Sequence, residues 1–131
     1  KKLRNELGMS VIWITHDLGI VAGLVDRVIV MYAGYIVEEA PVKELYQSPK
    51  HPYTKGLLGS LPRLDSNERE RLVSIEGIPP VLYRTASTCP FAPRCPYRID
   101  HCFNENPKLT EVNPHHRIAC WVDVENRKER K

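Results

Sequence analysis

All four cysteines of the chain lie in one segment, residues 89–120, with the spacing Cys-x5-Cys-x6-Cys-x17-Cys. The same segment holds five prolines and no glycine. Because it can bury little apolar surface, we expect it to be held by crosslinks or a metal centre instead of a packed core. Four cysteines that converge on one point suit three chemistries: an iron–sulfur cluster, a structural zinc ion or two disulfides.

Composition and charge are those of an ordinary globular protein. The 131 residues are 42% apolar and 27% charged, and the net charge of +3 is too small to indicate nucleic-acid binding. No apolar run approaches the roughly 18 residues that span a bilayer, and no signal-peptide pattern opens the chain. We therefore expect an intracellular protein, where clustered cysteines are more often metal ligands than disulfides.

The first eight residues, KKLRNELG, resemble the end of a helix. Leu3 and Leu7 are spaced by one helical turn, and Gly8 stands where a helix would stop. Since the beginning of such a helix is missing, we expect the chain to be the C-terminal part of a longer protein.

The next segment, residues 9–15, is a nearly continuous run of β-branched and aromatic residues. Such a run is typical of a strand buried on both faces of a parallel sheet. Asp17 is a good N-cap for the apolar segment that follows, which puts His16 at the junction between strand and helix. Ligands bind at that edge of open α/β sheets, although a plain loop histidine fits the same position.

Further along, two β-rich runs flank Ala33-Gly34, a pattern that predicts a hairpin over residues 28–39. Residues 41–46 and 54–61 each predict a short helix, the second ended by Pro62. Residues 63–71 are polar and charged, which indicates an exposed connector, and residues 75–80 predict a short extended element closed by a turn.

Several motifs together resemble the nucleotide-binding subunits of ABC transporters, and specifically those of oligopeptide and dipeptide importers. The sequence ITHD at residues 14–17 is similar to the switch-histidine motif of these ATPases, and residues 26–38 are similar to the hairpin that follows it. The assignment to the peptide importers rests on motifs that follow in chain order: HPYT at 51–54, LL at 57–58, Pro62, GIPP at 77–80, CPFAPRC at 89–95 and HRIAC at 116–120.

The resemblance implies a catalytic role for His16, which in such ATPases contacts the γ-phosphate and helps to orient the attacking water. It implies a capping role for Asp17, because the general base of the family is a glutamate of the Walker B segment. The chain has no phosphate loop, no LSGGQ-type signature and no Walker B segment. We therefore predict that it neither binds ATP tightly nor hydrolyses it by itself, and that ATP and magnesium belong to the full-length subunit.

For the cysteines, the resemblance implies a 4Fe-4S cluster held by Cys89, Cys95, Cys102 and Cys120. Zinc is the alternative, although the Cys-x2-Cys pairs common in structural zinc sites are absent, and disulfides or free thiols remain open. Nearby basic residues would offset the negative charge of the cluster, and Phe91 and Trp121 would shield it from solvent. The basic residues are Arg94, Arg98, His101, His116 and Arg117. His115 and His116 could be ligands in a mixed site, but they read more simply as loop residues.

The predicted fold class is α/β: a C-terminal piece of an ABC-type nucleotide-binding domain, with a buried strand, a helix and a β-hairpin, followed by an irregular cysteine-rich extension. We divide it into residues 1–46, the end of the ATPase domain with the switch-histidine loop, residues 47–80, a connector, and residues 81–131, the extension. The resemblance implies as partners the rest of the ABC domain, a second ATP-binding subunit and transmembrane permease subunits, at the cytoplasmic face of the membrane. The alternative is a stand-alone four-cysteine module that binds protein or nucleic acid through Arg94, Arg98 and Arg117.

Overall fold

The computed structural model describes residues 6–61, 75–81 and 84–130. Its elements are α1 (Leu18–Val21), β1 (Arg27–Tyr32), β2 (Tyr35–Pro41), α2 (Val42–Gln47), α3 (Pro52–Gly59), two 3-10 helices (Ala92–Arg94 and Asp100–Phe103), β3 (Thr110–Asn113), β4 (His116–Ile118), β5 (Val122–Asp123) and β6 (Lys128–Glu129). None of the helices in these ranges has the length and apolarity needed to cross a membrane. The predicted connector at residues 63–71, and Pro62 before it, lie outside the described residues.

The predicted strand at residues 9–15 does not form, so this prediction was wrong. The segment has no regular structure, and the side chains of Ile12 and Ile14 are 91% and 93% exposed. A strand needs a hydrogen-bonded neighbour, and none of the strands in the described ranges pairs with this segment. The apolar sequence of this segment would suit the interior of a sheet. Within the described residues, however, no strand lies beside it to form that interior.

The predicted hairpin is confirmed and slightly longer than expected. β1 and β2 pair antiparallel, with Ala33 and Gly34 in the turn at φ values of 48° and 82°. Positive φ at both central residues is the two-residue turn whose twist matches the flanking strands. Along β1, Val28, Val30 and Tyr32 face the core and alternate with exposed residues. The hairpin thus has one apolar face to cover.

The cysteine-rich extension covers that face, which corrects the expectation that it would be irregular and bury little surface. Its strands β3 and β4 join the hairpin in one sheet with the order β1-β2-β4-β3. Phe91, Ala92 and Ile118 are at most 2% exposed. Because this sheet combines strands from residues 1–46 and 81–131, the two parts pack as one unit, and the division into three segments stays a prediction.

Three aromatic rings join the hairpin, α3 and the extension. The ring of Tyr32 lies 4.7 Å from that of Tyr53 and 5.1 Å from that of Phe91, and the rings of Tyr53 and Phe91 are 5.4 Å apart. Tilted and edge-on contacts of this kind add to the energy of burial. Tyr53 takes this place because α3 begins at Pro52, two residues earlier than predicted.

His51 fixes the start of α3. It is 1% exposed, and its Nδ1 accepts a hydrogen bond from the backbone N–H of Tyr53 at 3.1 Å, with Pro52 in the first turn. Burial lowers the pKa of His51 to about 3, against the opposing effect of a hydrogen bond with the backbone of Ala119. The ring is therefore neutral in the folded protein at neutral pH, with its proton on Nε2.

The neutral state of the buried His51 predicts how the free energy of unfolding depends on pH. Below about pH 6.5 the unfolded chain binds a proton at this residue that the folded protein excludes until about pH 3, so the free energy of unfolding should fall with pH by up to about 1.4 kcal/mol per unit. His51→Asn keeps a capping side chain that binds no proton. Its urea unfolding should depend less steeply on pH between about pH 6.5 and pH 4.5.

The matched control is His115→Asn, because His115 is exposed and has a φ of 62°, a conformation that asparagine tolerates. It should keep the pH dependence of the natural protein. Equal slopes for His51→Asn and the natural protein would contradict the assignment of a neutral, buried His51.

Candidate functional site

The four cysteines lie in one region, where Cys89, Cys95 and Cys102 each act on the pKa of Cys120, and all four are free thiols. The first three are linked by local turns: Ala92 N–H donates to the carbonyl of Cys89 at 3.1 Å, and Cys95 N–H donates to that of Ala92 at 3.2 Å. Cys89 N–H in turn donates to the carbonyl of Cys102 at 3.0 Å, which closes the loop. Cys95 and Cys102 are buried, and Cys89 and Cys120 are half-buried. The chain therefore brings the predicted ligand residues into one region.

The surroundings of Cys89, Cys95 and Cys120 raise the pKa values of their thiols and favour the neutral form. The pKa of Cys95 is raised to about 11 and that of Cys120 to about 12. Burial is the largest cause, backbone hydrogen bonds at Tyr97 and Val122 act against it, and repulsion between the cysteines raises both values further. Thiols in such a place ionise when a cation binds them and supplies the opposing charge.

The donor set fits a sulfur-ligated centre by its chemistry, because four cysteines in one region are the ligands of a four-cysteine cluster or zinc site. The coordination geometry itself is not formed. Within residues 6–61, 75–81 and 84–130, no group of three or more histidine, cysteine, aspartate or glutamate side chains is arranged to hold a metal ion.

Of the five basic residues expected to offset the charge of a cluster, Arg98 acts on a thiol. Its Nη1 donates to the carbonyl of Cys95 at 3.3 Å, and its charge lowers the pKa of the Cys95 thiol in opposition to burial. Arg94 instead donates to the carbonyls of Ile75 and Glu76, at 2.9 and 2.8 Å, and to the hydroxyl of Tyr32 at 3.2 Å. It fastens residues 75–77 to the hairpin.

The other basic residues are also bound by acidic partners. Arg117 pairs with Glu39, and His101 pairs with Glu129. Three arginines suggested the basic face of a stand-alone nucleic-acid module. Arg94 is occupied by carbonyls and a hydroxyl and Arg117 by a carboxylate, so that face is reduced to Arg98.

The interpretation of His116 as a loop residue was wrong, because His116 lies on β4 with none of its surface exposed. Its Nε2 is 2.7 Å from Oε1 of Glu38, and its Nδ1 is 2.9 Å from Oε1 of Glu44. The hydrogen bond with His116 lowers the pKa of Glu44, against a smaller effect of burial, and a second bond from Asn113 lowers it further. Both ring nitrogens of His116 therefore have a carboxyl partner, one from β2 and one from α2.

Glu38 was missed by sequence reasoning, although a signal was present. It is wholly buried and accepts three hydrogen bonds: from the N–H of Lys50 at 2.6 Å, from the N–H of His51 at 3.0 Å and from His116. Successive side chains of a strand point to opposite faces, so two adjacent glutamates in β2 place one of them toward the core. That pattern should have indicated a buried carboxylate with partners elsewhere in the chain.

His16 lies exposed in the turn before α1, at some distance along the chain from the cysteines. The predicted cap beside it is confirmed: Asp17 Oδ1 accepts from Gly19 N–H at 2.8 Å. Thr15 Oγ1 accepts from Asp17 N–H at 3.0 Å and fixes the other side of the turn. The helix is shorter than the apolar segment suggested, since it ends at Val21. The catalytic role of His16 and the ligand roles of the four cysteines remain predictions.

Comparison with known proteins agrees with the motifs. The family described as "Oligopeptide/dipeptide transporter, C-terminal region" matches residues 37–102. The oligopeptide transport ATP-binding protein OppD of Mycobacterium tuberculosis is 53% identical over 120 residues, which are 92% of this chain and 20% of that protein. The dipeptide transport ATP-binding protein DppD of Bacillus subtilis is 48% identical over 122 residues, 93% of this chain and 36% of that protein.

A putative peptide import ATP-binding protein of Brucella ovis is 47% identical over 131 aligned positions, 95% of this chain and 39% of that protein. The chain thus spans between about one fifth and two fifths of the length of the curated relatives it matches. Since the family match covers residues 37–102, half of the chain, the protein belongs to the oligopeptide/dipeptide transporter C-terminal region family.

Proposed function

We propose that this chain is the C-terminal portion of the ATP-hydrolysing subunit of an ABC importer for oligopeptides or dipeptides. The family match, with relatives named as transport ATP-binding proteins, carries the proposal. The subunit works with the rest of its own ABC domain, a second ATP-binding subunit and permease subunits, at the cytoplasmic face of the membrane. It takes no nucleic acid as a partner.

His16 supplies the catalytic contribution of this portion. An exposed imidazole beside the start of a capped helix is free to meet a nucleotide that other parts of the subunit bind. It donates a hydrogen bond to the charge that develops on the phosphoryl oxygens and orients the attacking water. The phosphate-loop backbone and lysine that hold ATP are missing from this sequence, so the chain alone is inactive.

The role of His16 is tested in the whole subunit assembled with its permease. His16→Ala should lower the rate of ATP hydrolysis by about 100-fold or more, the usual cost of removing one donor to transition-state charge, while nucleotide binding is retained. His115→Ala, at another exposed histidine of the same chain, is the control and should leave the rate unchanged. Full hydrolysis by the His16 variant would contradict this role. Hydrolysis by the 131-residue chain alone would contradict the separate prediction that this chain is inactive by itself.

The extension holds a 4Fe-4S cluster through Cys89, Cys95, Cys102 and Cys120, with a single zinc ion as the alternative. The convergence of four free thiols supports a bound centre, and so do the raised pKa values of Cys89, Cys95 and Cys120, because a bound cation would supply the charge that opposes ionised thiolates. The absence of Cys-x2-Cys pairs in the sequence favours the cluster over zinc. When bound, the cluster crosslinks the four cysteine-bearing turns, a structural role that does not require redox chemistry.

Elemental analysis decides between these centres. Protein purified without oxygen should be brown and contain iron and acid-labile sulfide in equal amounts, about four of each per chain. Cys120→Ser, which removes one ligand and keeps the fold of the hairpin, should lower the iron content. Colourless protein with one zinc per chain would overturn the cluster.

A further inference from the structure

Cys120 differs from the other three cysteines in its distance along the chain. The other three lie within residues 89–102 and are joined by backbone hydrogen bonds of adjacent turns. Cys120 follows only after β3 and β4, so local turns cannot place it. Other contacts must bring it to the first three.

On the N-terminal side of Cys120, the sheet provides one contact. The N–H of Ala119 donates to the carbonyl of Val37 at 2.9 Å, just beyond the pairing of β4 with β2. This bond fixes the approach of the chain to Cys120. It does not fix the direction that the chain takes after Cys120.

On the C-terminal side, Trp121 is held against the 3-10 helix that carries Cys102. The indole stacks on the ring of His101, with centroids 3.9 Å apart and planes at 13°. Its Nε1 also donates to the carbonyl of Glu105 at 3.0 Å. A ring that is fixed both by its face and by its N–H has one orientation, and the two stacked rings belong to the residues next to Cys102 and Cys120.

The hairpin β5–β6 secures this stack from the other side. Oε1 of Glu129, on β6, lies 2.7 Å from Nδ1 of His101. The N–H of Arg130 donates to the carbonyl of Trp121 at 2.6 Å. Both stacked residues are thus bound by the end of this hairpin, His101 by Glu129 and Trp121 by Arg130, which directly follows β6. Cys120 Sγ lies 3.4 Å from the backbone nitrogen of Val122, inside the loop so formed.

We propose that the His101–Trp121 stack, anchored by Glu129, is a clasp that seats Cys120 against the three cysteines of residues 89–102. His101, Trp121 and Glu129 are positioning residues in this arrangement. The clasp acts through side chains that are not ligands, and it works whichever group the cysteines hold.

The test is the rate at which each cysteine is alkylated by iodoacetamide, resolved by mass spectrometry, in the full chain after reduction and treatment with a chelator. Trp121→Ala and Glu129→Ala should each speed alkylation of Cys120 by about tenfold or more, because the thiol leaves a protected site. The rates at Cys89, Cys95 and Cys102 should change by less than about twofold.

Two controls match these variants. Phe103→Ala removes an exposed ring from the same 3-10 helix as His101, and Lys128→Ala changes the neighbour of Glu129 on β6; both should leave Cys120 protected. If Trp121→Ala fails to fold, Glu129→Ala at the exposed strand carries the test. An unchanged rate at Cys120 would overturn the clasp, and so would an equal increase at all four cysteines, which reports general loosening.

Discussion

The carboxylate of Glu38 connects three parts of the chain that are far apart in sequence. It belongs to the hairpin, accepts the N–H groups of Lys50 and His51 before α3, and binds the ring of His116 in the extension. With no exposed surface of its own, this carboxylate depends on all three donors to offset the loss of water. Glu44 supplies a second carboxylate to the same ring. The position of α3, and with it the aromatic cluster, therefore depends on the same buried hydrogen bonds that hold the extension to the hairpin.

The features that could be predicted from sequence are those decided by near neighbours. The Ala33-Gly34 turn and the Asp17 cap each depend on a few adjacent residues, and both are confirmed. The strand at residues 9–15 and the loop assignment of His116 were wrong because both depend on distant partners. An apolar run forms a strand only beside another strand, and the partners of His116 lie 72 and 78 residues away. The high proline content of the extension also led to a wrong expectation, namely that it would bury little surface. The extension is buried because it packs against the apolar face of β1.

Two chemistries are separated in this chain. His16, which we propose as catalytic, is exposed, whereas the cysteine region is largely buried and packs on the hairpin. The residues of the motifs that resemble the family mostly hold the cysteine region to the rest of the fold. His51 caps α3, Tyr53 and Phe91 meet in the core, and Arg94 clamps residues 75–77. These sequence motifs therefore describe how the extension folds onto the hairpin. They therefore identify the family through residues that hold its fold together.

The most direct measurement is a double-mutant cycle on Glu38 and His116, read as free energies of urea unfolding for Glu38→Gln, His116→Asn and the double variant. Each single change leaves a buried polar partner without its hydrogen bond and should cost about 1–3 kcal/mol. The double variant should cost less than their sum by about 1.5 kcal/mol or more. The Glu39–Arg117 pair, whose arginine side chain is 47% exposed, is the control and should show a coupling below about 1 kcal/mol. Additive effects at Glu38 and His116, or a coupling no larger than that of the control, would contradict the claim that this buried pair fastens the extension to the hairpin.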